Sequence, residues 1–406
     1  MKKVTVAILG FGSRGFTYAN IIRDHPNEAM IIAICEKNLQ KKPLILAQYQ
    51  LAEHQYFENE DDFFNQGKLA DILVISTMDQ DHFRQAQKAL ELGYDLLLEK
   101  PIATTKEHCQ AILDKANQLN RKVAVCHVLR YTPFYQKLKS IIEDGEIGEI
   151  VTLHQTEHIG YFHYAHSYVR GNWRNSATSS PMILAKSCHD LDIIRWLIKS
   201  DCTKITSFGN LFYFNKEHAP QGSKPFCYQC HVDCPYHAVH FYKENPMWAM
   251  VFSLNQHIEE VLTDESLSYS RCVYQSDNNV PDHQVVQMEF KNRATASLTI
   301  TAFSQKTHRS IKIHGTKGEV EGDMENMEIV VNLYGGKSYR IDVSKLADDF
   351  SGHAGGDKKM VLDFVRNIRN KEPISGLTDI NNSLESHFMA FDAEDSRQKG
   401  GKVISR

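Results

Sequence analysis

The sequence predicts two domains: an α/β domain with a doubly wound parallel sheet, then an α+β domain with a large, mostly antiparallel sheet. Three observations predict this. Over the first 130 residues, continuous apolar runs alternate with helical patterns, as in strands covered on both faces. Near Arg130 the pattern changes to long strands of alternating polarity, as in a sheet with one wet face. A chain of 406 residues also exceeds what one core ordinarily supports.

Val4–Leu9 is the first strand, followed by a glycine turn and a helix from Phe16 to Arg23. Met30–Cys35, Ala70–Ser76, Asp95–Leu98 and Lys122–Cys126 are the next strands, with helices at Asp81–Leu92 and Lys106–Leu119 between them. Beyond Arg130, Tyr135–Glu143 reads as a helix that ends at Gly145. Strands are expected at Glu149–His158, Lys204–Phe214, Gln284–Phe290, Thr295–Phe303, Arg309–Ile313, Met327–Leu333 and Ser338–Val343. Helices at Asp357–Arg369 and Asn381–Arg397 complete the second domain. The expected domains are 1–130 and 131–406, the second carrying a Cys/His-rich insertion over 215–246.

Composition narrows the function classes. The chain is 42% hydrophobic and 24% charged, as soluble globular proteins are. No apolar run approaches the roughly 20 residues that a membrane span needs. The amino terminus runs from Met1-Lys2-Lys3 into a strand, without the apolar core and cleavage site of a secretory signal. A cytoplasmic location is therefore expected, with no membrane partner. With 46 basic and 50 acidic residues and no basic block, nucleic acid is not an expected partner.

Gly10-Phe11-Gly12-Ser13-Arg14-Gly15 follows a strand and opens a helix, the context a dinucleotide-binding loop requires. Gly10 permits the tight turn, Gly12 lets the backbone approach a pyrophosphate, and Gly15 lets helix and strand pack closely. The helix start offers unpaired N–H groups and partial positive charge to phosphate. Glu36 ends the second strand 21 residues after Gly15, near the usual spacing of roughly 20. Its carboxylate suits the adenosine ribose hydroxyls and repels a 2′-phosphate, so NAD is expected over NADP. Lys37 beside it weakens that preference. Downstream, the buried run Tyr94–Leu98 ends in Glu99-Lys100-Pro101, which puts one lysine where a nicotinamide ring would lie.

The glycine loop, Ser76-Thr77 with His82, and Leu98-Glu99-Lys100-Pro101 together resemble the Gfo/Idh/MocA oxidoreductase family. Gly145-Glu-Ile-Gly148, His189-x-x-Asp192-x-x-Arg195-Trp196 and Gly315-Thr-Lys-Gly318 carry the resemblance through the second half. It implies a Rossmann domain holding NAD, with Ser76, Thr77, His82, Glu99 and Lys100 around the cofactor. It implies a sugar, sugar acid or cyclitol as substrate, and a homodimer or homotetramer formed through the second-domain sheet. The lysine matching Lys100 touches both the nicotinamide and the reacting hydroxyl in such enzymes, and the peptide matching Lys100-Pro101 is often cis.

Oxidising a secondary alcohol needs hydride removal, which NAD performs, and a base for the hydroxyl proton. His189 is the leading acid/base candidate, in a helical stretch whose apolar face is Leu184, Leu191, Ile194 and Leu197. Lys186 and His189, at i and i+3, share another face of that expected helix and join Lys100 as the catalytic candidates. Many family dehydrogenases place an aspartate four residues before this histidine; here the position is Ala185, followed by Lys186. Lys100, Lys186 and His189 together suit an anionic substrate. Arg130, Tyr168, Arg170, Trp173 and Arg174 are further substrate candidates, the last four in an expected loop with stacking and bidentate donor groups.

Cys227-x-x-Cys230-x-x-x-Cys234 lies in the insertion among several histidines. The spacing suits a structural zinc site, with a histidine or Cys202 as fourth ligand, and equally suits unligated thiols or a disulfide; an iron–sulfur centre is the third alternative, though a fourth cysteine in the run is missing. Hydride transfer needs no metal. The expected function is NAD-dependent oxidation of a secondary hydroxyl. A glycoside-cleaving enzyme using transient oxidation and a non-enzymatic sugar or NAD sensor are the alternatives.

Overall fold

The computed structural model describes residues 3–253, 257–372 and 378–406. The chain divides into two compact units: Met1–Ser140 with Asp342–Phe388, and Ile141–Ile341 with Met389–Arg406.

The first unit holds a six-stranded sheet of order β3-β2-β1-β4-β5-β6. Its strands are β1 (Val4–Leu9), β2 (Ala29–Cys35), β3 (Tyr56–Phe57), β4 (Ile72–Ile75), β5 (Asp95–Leu98) and β6 (Val123–Val125). Every pair is parallel. The order reverses between β1 and β4, and the carboxyl ends of these strands open the crevice where doubly wound sheets hold ligands. The two-residue β3 is too short to show as a hydrophobic pattern. The first helix spans Ser13–Asp24, so the last residues of the glycine loop already belong to it. It buries Gly15, Tyr18, Ala19 and Ile22, the spacing of one helical stripe.

A later helix, Gly356–Asn370, contributes Met360, Val361, Phe364 and Val365 to the core that contains Val6, Ile8 and Ile22. Sequence order assigned this helix to the second domain. Its apolar stripe instead covers the first sheet, where each buried side chain contributes roughly 1.5–3 kcal/mol.

The second unit holds a nine-stranded sheet of order β14-β13-β12-β11-β7-β10-β9-β8-β15. The strands are β7 (Ile150–Gly160), β8 (Cys202–Asn210), β9 (His283–Phe290), β10 (Thr295–Ser304), β11 (His308–Gly315), β12 (Gly318–Asp323), β13 (Glu328–Leu333), β14 (Ser338–Asp342) and β15 (Ile404–Ser405). β7 and β10 run parallel, while β8–β9, β9–β10, β11–β7, β11–β12, β12–β13 and β15–β8 are antiparallel. One face is apolar, with Val286, Met288, Leu298, Ile300, Ile311 and Ile313 buried. The helix Cys188–Ile198 packs on β7 and β10. On the other face Phe208 lies opposite Val285, 60% and 38% exposed.

β8 ends at Asn210 rather than Phe214, because the buried Asp282 carboxylate accepts the Tyr213 backbone N–H (2.7 Å) and takes it from the ladder. The expected loop over 166–175 is helical in its first half: Ala165–Arg170 forms a π-helical turn that continues a short helix at Tyr161–Tyr164. Stacking of Tyr164 on Tyr168, 5.4 Å between ring centroids, supports that winding.

Candidate functional site

Two groups of candidate residues exist, one in each unit. In the first unit the glycine loop has the geometry a dinucleotide needs. Gly10 sits at φ +86° with Ser76 O against it, so a Cβ would come within 2.8 Å of that oxygen. A Cβ on Gly15 would come within 2.2 Å of Gly10 O. A Cβ on Gly12 would meet nothing within 4 Å, so the backbone there is open to close approach. Gly12 caps the helix without a side-chain hydrogen bond, and the first turn carries no acid to compete with phosphate. These features fit a bound NAD pyrophosphate.

Glu36 stands at the end of β2, 8% exposed. Its carboxylate accepts the Phe11 N–H (2.8 Å) and the Asn38 N–H (2.8 Å). The lysine that approaches it is Lys41, whose Nζ lies 3.6 Å from Glu36 and donates to Phe11 O at 2.9 Å. Lys37 points outward and is exposed. No motif or spacing pointed to Lys41, which a short 3₁₀ turn, Leu39–Lys41, folds back toward the loop.

Lys100 follows β5, and the Lys100–Pro101 peptide is cis. Glu99 fixes the neighbouring backbone. Its carboxylate accepts the Lys100 N–H (2.9 Å), Arg14 Nε (2.8 Å) and the Tyr18 hydroxyl. Arg14 continues to Asp357 on the helix Gly356–Asn370, at 2.5 Å. Burial alone would raise the Glu99 carboxyl, but Arg14 and Lys100 outweigh it and hold the group below its ordinary value. Burial likewise opposes ionisation of Asp357, and His353 and Arg14 override it. Arg14 thus organises the strand end rather than offering itself freely to phosphate. Tyr18 and Asp357, distant in sequence, carried no signal for this role.

Ser76 donates to Gly10 O (2.8 Å) and Thr77 to Gln85 (2.5 Å). His82 is fully buried, its ring nitrogens against Pro101 O (2.7 Å) and Thr77 O (3.3 Å). These three side chains buttress the loops around the crevice. Arg130 is buried just past β6.

In the second unit the expected single helix carrying Lys186 and His189 is broken. Met182–Ala185 is one short helix and Cys188–Ile198 another, with Lys186 and Ser187 at the junction. Lys186 and His189 therefore do not stand on one continuous helix. Lys186 Nζ pairs with Glu157 at 3.1 Å, and Arg309 bridges Glu157 (2.6 Å) and Asp190 (3.1 Å). Gln155 donates to Asp190 at 2.7 Å. Burial pushes Asp190 up to about 6 against the pull of Arg309. It pushes the Lys186 ammonium down against Glu157. The charge of Lys186 is thus met by Glu157, in a cluster that ties the helix junction to β7 and β11. His189 sits in the first turn of its helix, 6% exposed.

Tyr168 is buried against Tyr164, and Trp173 is half-buried 6.4 Å from Tyr168. Arg174 donates to Asp277 at 2.8 Å and remains partly accessible. Arg170 differs from the expectation of a substrate contact. It is fully buried, donating Nε to Arg271 O (2.7 Å) and Nη2 to Tyr236 O (2.6 Å), and so anchors the insertion. Among the described residues no group of three or more His, Cys, Asp or Glu side chains is gathered closely enough to hold a metal ion. The expected trio Cys227, Cys230 and Cys234 therefore does not stand at ligand distance from one point, although all three residues line one small cavity. No helix among the described residues is long and apolar enough to cross a membrane.

Comparison with known proteins places this geometry. An oxidoreductase family model described as an NAD-binding Rossmann fold matches residues 4–127, and that family's C-terminal alpha/beta domain matches residues 139–386. YteT of Bacillus subtilis (strain 168) is 26% identical over 263 residues, covering 62% of this chain and 60% of that protein. An inositol 2-dehydrogenase/D-chiro-inositol 3-dehydrogenase of Lactiplantibacillus plantarum is 26% identical over 204 residues, 50% of this chain and 55% of its own length. These matches therefore span little more than half of each relative. The fold of an inositol dehydrogenase homolog from Azotobacter vinelandii, solved with NAD+, superposes with a TM-score of 0.73 at 16% identity, covering 100% of this chain and 98% of that one. With both family domains matched across most of its length, the chain belongs to the Gfo/Idh/MocA oxidoreductase family.

Proposed function

We propose that this chain is an NAD-dependent dehydrogenase that oxidises a secondary hydroxyl of a sugar, sugar acid or cyclitol. The observation that carries it is the placement of Lys100: it leaves β5 at the crevice of a glycine-loop sheet, on backbone pinned by Glu99. The inositol dehydrogenases among its relatives support the substrate class.

NAD, when bound, accepts the hydride. The chain's own residues do the rest. The loop Gly10–Gly15 holds the pyrophosphate through backbone N–H groups at a helix start. Glu36 orients the ribose and disfavours a 2′-phosphate, so NAD is the coenzyme rather than NADP. The Lys100 ammonium orients the reacting hydroxyl and stabilises developing negative charge on its oxygen. His189 takes the hydroxyl proton, a task for which imidazole is the usual side chain near neutral pH. Tyr168, Trp173 and Arg174 are the substrate contacts this reading retains, and Arg174 favours an acidic group on the sugar.

The outer face of the second sheet, with Phe208 opposite Val285, receives a second copy of the chain in the same reading. A monomer by light scattering at working concentration would remove that part.

The test is a panel of sugars, sugar acids, cyclitols and aryl glycosides, assayed for both NADH formation and bond cleavage. Stoichiometric NADH with a polyol or sugar acid is expected. Glycoside cleavage without net NADH, or no turnover of any class despite NAD binding, would overturn the reading.

A further inference from the structure

We propose that Cys227, Cys230, Cys234 and Cys272 form a four-thiolate zinc site that staples the insertion, with Arg170 as its buried counter-charge. The proposal is independent of the substrate. All four cysteines line one small cavity, which Arg170 also lines. Cys272 is the ligand that sequence spacing could not supply, since it lies 38 residues beyond Cys234. The fold brings it in: Phe226 and Arg271 form an antiparallel bridge, and Cys272 N–H donates to Pro225 O at 2.8 Å. All four are thiols rather than disulfides.

The second observation is Arg170. It is fully buried, yet Nη1 has no hydrogen-bond partner among the described residues, and its Nη2 reaches Cys227 Sγ at 3.5 Å. Its other partners are neutral carbonyls, Arg271 O and Tyr236 O. A buried cation without a carboxylate is costly unless an anion accompanies it. Four neutral thiols supply none. Zinc supplies one: Zn²⁺ displaces four protons, four S–H bonds give way to four Zn–S bonds, and the product carries two negative charges with no change of oxidation state.

Cavity size selects the occupant. Its volume of about 20 Å³ has room for one water-sized body. That suits a single ion and is too small for an iron–sulfur cluster. The thiols rotate inward to reach ligand distance, since no three such groups are so gathered among the described residues. His237 keeps its ring on Cys230 O at 3.1 Å and stays outside the set.

The test uses the full chain expressed with added zinc. Elemental analysis should give about one zinc per chain. Cobalt exchange should produce the visible bands of a tetrahedral thiolate site. Cys272→Ser should lose the metal while NAD still binds, which shows that the chain has folded. Cys202→Ser, at a thiol outside the cavity, should retain it. Arg170→Gln should weaken zinc affinity by about 10-fold or more, as loss of outer-sphere partners does. Less than a tenth of an equivalent after zinc loading would overturn the proposal. So would stoichiometric iron, a disulfide among the four, or wild-type zinc content in Cys272→Ser. Should Cys272→Ser fail to fold, the metal content and cobalt spectrum of the unmodified chain decide alone.

Discussion

Replacing Glu99 by Gln tests whether this carboxylate positions the Lys100 backbone. Glu99 is 5% exposed and accepts three hydrogen bonds, from Arg14, Tyr18 and the Lys100 N–H. In the variant, one amide oxygen can still serve Arg14 and Tyr18. The amide N–H₂ then faces the Lys100 N–H, donor against donor. A hydrogen bond to a charged group contributes roughly 1.5–3 kcal/mol, and here one is lost and two are weakened. Breaking a buried ion pair costs roughly 3–5 kcal/mol, but Arg14 keeps Asp357 and is not left unpaired. The expected loss is therefore about 2–3 kcal/mol. Urea unfolding followed by far-ultraviolet circular dichroism reads it as a lower midpoint at unchanged slope.

The same variant has a pH signature. Glu99 ionises more readily in the folded chain than in the unfolded one. The stability it adds is present above the ordinary carboxylate range and is lost as pH falls through its lower folded value. The gap between Glu99→Gln and the unmodified chain should therefore narrow below about pH 4.5. Turnover should fall as well, because the Lys100 backbone loses its tether. A midpoint within about 0.5 kcal/mol of the unmodified chain at neutral pH, with full turnover, would refute the positioning argument.

Lys100→Ala should lower turnover by about 100-fold or more while NAD affinity, read by calorimetry, stays within a few-fold; full turnover would remove Lys100 from the chemistry. Glu36→Ala frees the Phe11 and Asn38 N–H groups and leaves Lys41 near the ribose position. NAD affinity should drop and the preference over NADP should shrink or reverse; an unaltered ratio of the two dissociation constants counts against the ribose contact. Lys186→Met removes one of two cations paired with the buried Glu157. A loss of about 2–4 kcal/mol in thermal or urea stability is expected, with Arg309 limiting the damage. Because Lys186 helps hold Asp190 down, carboxyl ¹³C titration should show Asp190 moving up from about 6. Full stability with abolished turnover would instead make Lys186 a catalytic residue.

Local patterns carried much of this protein in the sequence itself. Apolar runs and helical stripes are short-range features, so β1, β2, β4, β5 and β6 and the helix Ser13–Asp24 were legible within a few residues of their ends. Gly10, Gly12, Gly15, Glu36 and Lys100 were legible because each must stand at a fixed step from a strand end. Contacts between distant segments were not. The cover that Gly356–Asn370 gives the first sheet, the Arg14–Asp357 pair and the turn of Lys41 toward Glu36 depend on how the chain returns in space. The break at Lys186 and the burial of Arg170 belong with them. A periodic pattern reports only which face is apolar, and tertiary packing decides what that face meets and which charges are left to neutralise one another.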